Sequence, residues 1–428
     1  MQLLLRSLMV SLVLLGAGAA AARQDDTGLA TFDKVWRVVR DEHFDPDLNG
    51  IDWEAVRREL RPAAERAHDV AELRAVIADM LSRLGQSHFT LVPKEQLPPR
   101  DGDLEAASAE VMGEAGLDLR VRDGEVLVWR AWEPAAEAGV APGWLVTSID
   151  GLGPDELEHR GPRPEAPDAL RRWTTDAAQE ATYGPVGSTI ELTLLDADGS
   201  DVELRLERTE RDVLPHALGR GLPVFHLTGE SWTVERDGLR LGVIRFNFWF
   251  EPTIEEAEAA LDTMADCDGI VLDQRGNGGG RGDMATRLAG RFLAKRTVLG
   301  EQRMRRRTQR YVANPRRPVL DAPLAILTDE LTGSTAEVFT GSLQSVGRAR
   351  IFGERSAGAV LPAHTTLLPN GDSLIHAVGD YRTATGDLLE GRGVRPDVEV
   401  PLRRADLFDG VDAPLEAALD WLAEEGAR

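Results

Sequence analysis

The spacing of apolar positions changes along the chain, and each change marks a different kind of structure. Between 29 and 97 the period is helical. Phe32, Val35, Trp36 and Val39 share one face, and Leu73, Val76, Ile77, Met80, Leu81 and Leu84 share another. Gly85 stops the second of these helices. Gln86-Ser87-His88 then turn into the strand-like run Phe89-Thr90-Leu91-Val92. After a polar linker over 98–111 the period shortens to two. Gly116 to Val121 and Glu125 to Trp129 alternate as strands across Asp123-Gly124, a hairpin signal. Pro134 to Gly143 reads as a short helix and turn leading into a strand over Leu145 to Gly151. Ile190–Leu195 and Val202–Leu206 close this middle module over 112–212. The charged stretch from Pro154 to Gly187 shows no pattern that assigns it a structure.

From Leu239 strands and helices alternate. Leu241 to Phe246 is followed by a helix from Ile254 to Ala265, and Gly269 to Asp273 by a helix from Met284 to Leu293. The apolar run Leu324–Leu327 leads into Ala336, Phe339, Leu343 and Val346 at helical spacing. This predicts βαβ units around a largely parallel, buried sheet over 213–402. A hairpin of Ala363–Leu367 and Ser373–Ala377 and a capping helix from Pro414 to Glu425, within a terminal region 403–428, complete an α/β chain.

Composition narrows the setting. The 428 residues, 42% of them hydrophobic, suffice for two to four domains, and a formal charge of -23 argues against nucleic acid or an anionic membrane surface as partner. Leu3–Leu15, with Arg6 in front and a Gly/Ala run to Ala22 behind, reads as a secretory signal over 1–22, too short to span a bilayer. Export to the periplasm or beyond is the expectation, with membrane contact only through an uncleaved leader. Cys267 is the sole cysteine, and no His/Asp/Glu cluster has ligand spacing, so no disulfide, metal or organic cofactor is expected.

Three stretches carry candidate chemistry. Ser334 falls where a strand turns into a helix, a place that can hold a hydroxyl clear of the sheet beside free N–H groups; the plain alternative is an N-cap. Asp273-Gln274-Arg275-Gly276-Asn277-Gly278-Gly279-Gly280 lets backbone approach a ligand closely, and it lacks the phosphate-loop pattern GxxxxGK[ST]. His88, just past a helix end, is placed to reach a neighbouring region.

Taken in order, DQRGNGGG, the GSTAEVF stretch leading to GER, and the closing GRGVRPD resemble the carboxy-terminal-processing (tail-specific) and tricorn-type serine peptidases. The resemblance implies a core like the Clp-protease/crotonase βαβ spiral, with Ser334 as nucleophile. The middle module resembles the PDZ domains of bacterial secreted proteases, with Trp144 where an acidic residue is usual. Gly116, Leu117, Asp118 and Leu119 match the loop that receives a peptide's free end as an added strand. The processing-protease branch activates its serine with a lysine, but Ala359 occupies that position and no lysine follows Lys295. Arg355 cannot substitute, because a guanidinium does not deprotonate. The tricorn branch uses a histidine preceded by a serine and a late glutamate, which Ser87, His88 and Glu390 match. His364 and His376 are rival bases. The resemblance further implies oxyanion donors at the N–H of Gly279 and of Thr335, with Asp273, Arg275 and Glu337 as scaffold. The expected activity is an exported endopeptidase acting on unfolded or tail-presented polypeptides. Competing readings are a non-catalytic binder of peptides or apolar ligands on the same fold, chemistry on acyl thioesters, and a chain whose working part is the middle module.

Overall fold

The computed structural model describes residues 27–98, 112–157, 164 and 167–426. The expected leader over 1–22 and nearly all of the linker over 98–111 lie outside them. Three helices open the described chain: α1 (27–42), α2 (Trp53–Arg66) and α3 (Val70–Ser82). Asp52 and Asp69 cap the latter two by accepting from Ala55 and Glu72 N–H, as short acceptors do at a helix start. Phe32, Val35 and Trp36 pack on Trp53, Leu73, Ile77 and Met80, and Leu368 and Leu374 join the same cluster from the far end of the sequence.

That junction sets the position of His88. A short strand, Thr90–Val92, pairs antiparallel with Ser373–Ile375 at the edge of the expected hairpin. Arg74 on α3 pairs with the fully buried Asp372 at 2.6 Å, and the Lys94 N–H donates to the same carboxylate. Ladder and ion pair together fix the chain two residues beyond His88 to the core.

The middle module is a five-stranded antiparallel sheet in sequence order: β1 (Leu117–Arg122), β2 (Glu125–Ala131), β3 (Leu145–Ile149), β4 (Thr189–Leu195) and β5 (Asp201–Glu207). Asp123 and Gly124 both take positive φ in the β1–β2 turn. Two expectations are revised here. Residues 134–143 form consecutive turns, because Gly139 at φ 91° and Gly143 at φ 87° end each helical turn as it starts. The charged stretch contains a helix, α4 (Pro167–Ala181), which lays Thr174, Thr175, Ala177 and Ala178 against the sheet.

The second sheet runs β6 (Gly229–Arg236), β7 (Leu239–Phe246), β8 (Gly269–Asp273), β9 (Leu324–Thr328), β10 (Arg350–Gly353) and β11 (Val398–Glu399). Only the β6–β7 pair is antiparallel. β8 and β9 are buried along their whole length, as a parallel sheet covered on both faces requires. α5 (Glu251–Thr263), α6 (Gly282–Ala289) and α7 (Thr335–Ser345) cover one face through Ile254, Leu261, Leu288 and Phe339. After a short helix, α8 (Arg404–Phe408), the terminal α9 (Ala413–Gly426) covers the other with Ala418, Leu419 and Leu422. Cys267 is buried against Met264 and its neighbours as a small apolar residue.

Candidate active site

Ser334 lies between β9 and α7 with φ 52° and ψ −120°, a conformation that costs a non-glycine residue free energy and marks a constrained site. Its N–H donates to Ala359 O at 2.8 Å and to Glu337 Oε2 at 3.1 Å. Ser334 is the N-cap residue of α7, and Glu337 at the third helical position reaches back to its N–H as in a capping box.

Glu337 clamps this turn. Its Oε1 accepts from Ser356 Oγ at 2.6 Å and Gly358 N–H at 2.7 Å, and its Oε2 from Ala359 N–H at 2.8 Å as well as from Ser334. Complete burial pushes the carboxyl up to about 7 against the pull of these four donors. Three of the four are backbone N–H groups, which can only donate, so the contacts favour the ionised form.

The glycine loop abuts the Ser334 turn. A Cβ on Gly279 would stand 2.5 Å from Ser334 Cβ and 2.9 Å from Thr335 N, at φ 91°, so only glycine fits. Asn277 O accepts Gly333 N–H at 2.9 Å, and Thr335 Oγ1 donates to Gly280 O at 2.8 Å. Thr335 N–H, at the first position of α7, has no acceptor inside the helix and remains available. Gly279 N–H does not. It donates to Asn277 Oδ1 at 2.9 Å, and Asn277 Nδ2 is anchored on Phe246 O at 2.7 Å. The N–H expected to hold an oxyanion is thus engaged by a buried amide side chain in this structure.

Ser87, His88 and Glu390 are brought together across 303 positions of sequence. Ser87 N–H donates to Glu390 Oε1 at 2.8 Å, and Val360 N–H to Oε2 at 2.9 Å. Ser87 Oγ lies 3.0 Å from Oε2 and 2.8 Å from His88 Nδ1. The direction of these bonds follows from valence. A carboxylate only accepts, so the single Ser87 hydroxyl proton points to Glu390. Nδ1 of His88 must then be the protonated nitrogen, donating to Ser87, and Nε2 keeps its lone pair. Burial lowers the His88 pKa to about 4, although part of the side chain reaches solvent, so the ring is neutral near pH 7. His88 itself sits at φ 60°, and Gln86 beside it is held by His43 Nε2 at 2.8 Å.

The consecutive N–H groups of Gly358, Ala359 and Val360 divide between two carboxylates, the first two on Glu337 and the third on Glu390. One short segment thus ties the Ser334 turn to the Glu390–Ser87–His88 contacts. The rivals lie elsewhere. His364 and His376 face each other across the hairpin, and His376 is buried with Thr366 Oγ1 at 3.1 Å and Glu42 at 3.8 Å. Asp273 is fully buried; against that burial, which raises its pKa, Arg245 and Arg275 hold it well below the carboxylate range. Arg275 also pairs with Asp412 at 2.7 Å. Gly116, Leu117, Asp118 and Leu119 lie at and beside the outer strand of the middle module. Sequence reasoning missed Asn277, Ser356, Val360 and His43; the first three work through polar contacts that no spacing announces.

The family model for peptidase family S41 matches residues 240–400, and that for the tricorn protease C1 domain matches 29–82. The chain carries a peptidase family S41 domain. The match spans Ser334, Glu337, Gly279 and Glu390, while the C1 match stops just short of Ser87. This S41 peptidase, a serine-type hydrolase by its family, is 26% identical over 403 residues to the carboxyl-terminal-processing protease of Picosynechococcus sp., covering 92% of the chain and 89% of that relative. It is 25% identical over 396 residues to tricorn protease homolog 1 of Streptomyces coelicolor, covering 91% of the chain but 34% of that longer protein. Among solved structures, the photosystem II D1 C-terminal processing protease superposes with a TM-score of 0.58 at 22% identity, over 88% of this chain and 93% of that one. Mature CPAF superposes with a TM-score of 0.62 at 13% identity, over 94% and 96%. At these identities the structural likenesses speak for the fold. Among the described residues there is no group of side chains that could hold a metal ion, and no helix long and apolar enough to cross a membrane.

Proposed function

We propose that this S41 peptidase cleaves peptide bonds through Ser334, with His88 as its base and Ser87 and Glu390 as the groups that orient it. The observation that carries this reading is the relay from Glu390 through Ser87 to His88 Nδ1, with bonds of 3.0 and 2.8 Å, which leaves Nε2 as the basic nitrogen. His88 Nε2 takes the Ser334 proton as Oγ attacks the carbonyl carbon, and the imidazolium is steadied by Ser87 and, behind it, the Glu390 carboxylate. The tetrahedral oxyanion is received by Thr335 N–H, joined by Gly279 N–H once Asn277 releases it. His88 then protonates the leaving amine, and water repeats the cycle on the acyl-enzyme.

Ala359, at the position a lysine base would take, lends only its carbonyl and N–H to the nucleophile turn, which supports a histidine base. The core reads as a Clp-protease/crotonase-like spiral and the middle module as PDZ-like. The relatives named for carboxyl-terminal processing support unfolded or tail-presented polypeptides as substrates, and the leader-like start supports export. The test is covalent labelling with a serine-directed fluorophosphonate. The expected result is one adduct, on Ser334, formed by the wild type and by neither Ser334→Ala nor His88→Ala. Labelling of His88→Ala at the wild-type rate would remove His88 from its role.

A further inference from the structure

One hairpin reverses the charge of the chain. Arg303, Arg305, Arg306, Arg307 and Arg310 are all exposed, and no Asp or Glu lies between Gln302 and Leu320, on a chain of formal charge -23. They sit on the hairpin of Thr297–Met304 and Arg307–Ala313, whose last pair, Met304 with Arg307, leaves Arg305-Arg306 as a two-residue turn. Such turns favour Asn-Gly at positive φ. Neither arginine takes positive φ, so turn chemistry does not account for the pair. Arg305 serves the fold: its Nη1 donates to Arg40 O at 2.9 Å and Asp41 O at 2.8 Å, carbonyls at the C-terminal end of α1. The carboxylates that face the hairpin across its ladder are committed, Glu301 to Arg303 at 2.6 Å and Asp380 to Arg382 at 3.5 Å, and Asp41 beside the tip pairs with Arg40 at 2.7 Å. Arg306, Arg307 and Arg310 are in no ion pair among the described residues.

This patch adjoins the His88 turn. Thr90, two residues beyond His88, pairs with Ile375, and four residues further on Gly379 pairs with Met304. Along that path His88 and the hairpin tip are at most roughly 30 Å apart, a span that about nine extended residues cover. A second connection runs through α1. Arg305 holds the Asp41 carbonyl, and two residues on His43 holds Gln86, beside Ser87, at 2.8 Å. Unpaired guanidinium groups in this place attract carboxylates and cannot lose their charge, while the acidic remainder of the surface repels them. Stretches rich in Asp and Glu also resist folding, so they are presented as extended chain.

We propose that Arg306, Arg307 and Arg310 form an exosite for an acidic stretch of the substrate polypeptide, which steers chains carrying such a stretch near the cleaved bond to Ser334. The nearness of the hairpin to His88 favours a substrate segment over a lipid surface or a second copy of the chain. The exosite touches no reacting atom, so it acts on capture and shows in KM while kcat stays the same. Its attraction is between exposed charges and is therefore screened by salt. The inference deepens the peptidase reading and rests on it, so binding is measured apart from turnover.

The experiment compares quenched fluorogenic peptides that share a central sequence and carry, on one side or the other, a flank of Asp and Glu or a flank of Asn and Gln. At low salt the wild type is expected to cleave an acidic-flanked peptide with kcat/KM roughly tenfold or more above its neutral counterpart, the ratio that three exposed ion pairs represent. That advantage should vanish at about 1 M salt, where the Debye length is about 3 Å. Arg306→Glu, Arg307→Glu and Arg310→Glu together should abolish it and leave the neutral peptide's kcat/KM unchanged, while Lys at the same three positions should keep it. Fluorescence anisotropy with the full chain carrying Ser334→Ala reads the same preference as binding. Equal handling of the two flanks, or an advantage that survives charge reversal, overturns the proposal. So does a wild type without peptide preference that binds phosphatidylglycerol vesicles, or self-associates, and is released by charge reversal. A binding preference lost on charge reversal, beside a wild type that cleaves neither peptide, would keep the exosite and reject the peptidase reading; cleavage of both peptides at one rate would do the reverse.

Discussion

Replacing Ser87 by Ala isolates the relay while sparing the rest of the site. The substitution removes one hydroxyl and two hydrogen bonds, to His88 Nδ1 and to Glu390 Oε2. Glu390 keeps Ser87 N–H and Val360 N–H, so its position survives. In the resting enzyme the loss is that of an ordinary neutral hydrogen bond, about 1 kcal/mol. In the transition state His88 carries a positive charge, and the lost bond is a charge-assisted one worth about 1.5–3 kcal/mol. kcat reads the difference, about 0.5–2 kcal/mol, so at about 1.4 kcal/mol per decade it should fall roughly 2- to 30-fold while KM stays near its original value. Ser87→Thr restores a hydroxyl at the same atom and should recover most of the rate. The assay is steady-state hydrolysis of a quenched fluorogenic peptide, with near-UV circular dichroism confirming the fold. A Ser87→Ala enzyme that retains wild-type kcat would refute the relay, as would a loss confined to KM.

Further outcomes follow from the same geometry. With burial lowering the His88 pKa to about 4 from an ordinary 6.5, the base stays neutral well below pH 6, so kcat/KM should fall on the acid side with a midpoint near 4; a midpoint near 6.5 would contradict the enclosure of the ring. The same shift means that His88 favours the fold fully above pH 6.5 and that this contribution is lost as pH falls through about 4, which unfolding titrations of wild type and His88→Phe would compare. Gly279→Ala sets a methyl 2.5 Å from Ser334 Cβ and should lower kcat by about a hundredfold or more without abolishing folding; activity within threefold of wild type would count against the close approach. Glu337→Gln replaces one acceptor oxygen with an NH2 donor that faces N–H donors, and should cost roughly 2–3 kcal/mol of stability in denaturant unfolding, with loss of turnover; full stability would show that the clamp is dispensable.

Much of this was legible before any coordinates. The parallel strands around Val271 and Ile326 read clearly because strands buried on both faces must be apolar throughout, and the helices at Phe32 and Leu73 because their faces are wide and apolar. α4 stayed hidden for the opposite reason. Its buried face is made of Thr174, Thr175, Ala177 and Ala178, small and partly polar residues that leave no hydrophobic stripe, while Arg171 and Arg172 sit on the intervening turn. Residues 134–143 looked helical from their alanines, and glycines at positive φ overruled them. At the site, the types of Ser87, His88, Ser334 and Glu390 could be read from their surroundings in sequence. The occupation of Gly279 N–H by Asn277 and the sharing of Gly358–Val360 between two carboxylates could not, because each depends on where one polar atom lies in three dimensions.

Hydrolysis of an unfolded protein by the wild type, Ser334→Ala and His88→Ala is the most direct measurement of the central claim, that Ser334 is activated by His88 from the amino-terminal helices. The account predicts cleavage by the wild type and none by either variant, all three retaining the same circular dichroism. Cleavage that survives in His88→Ala but vanishes in Ser334→Ala would contradict it and move the base to another residue.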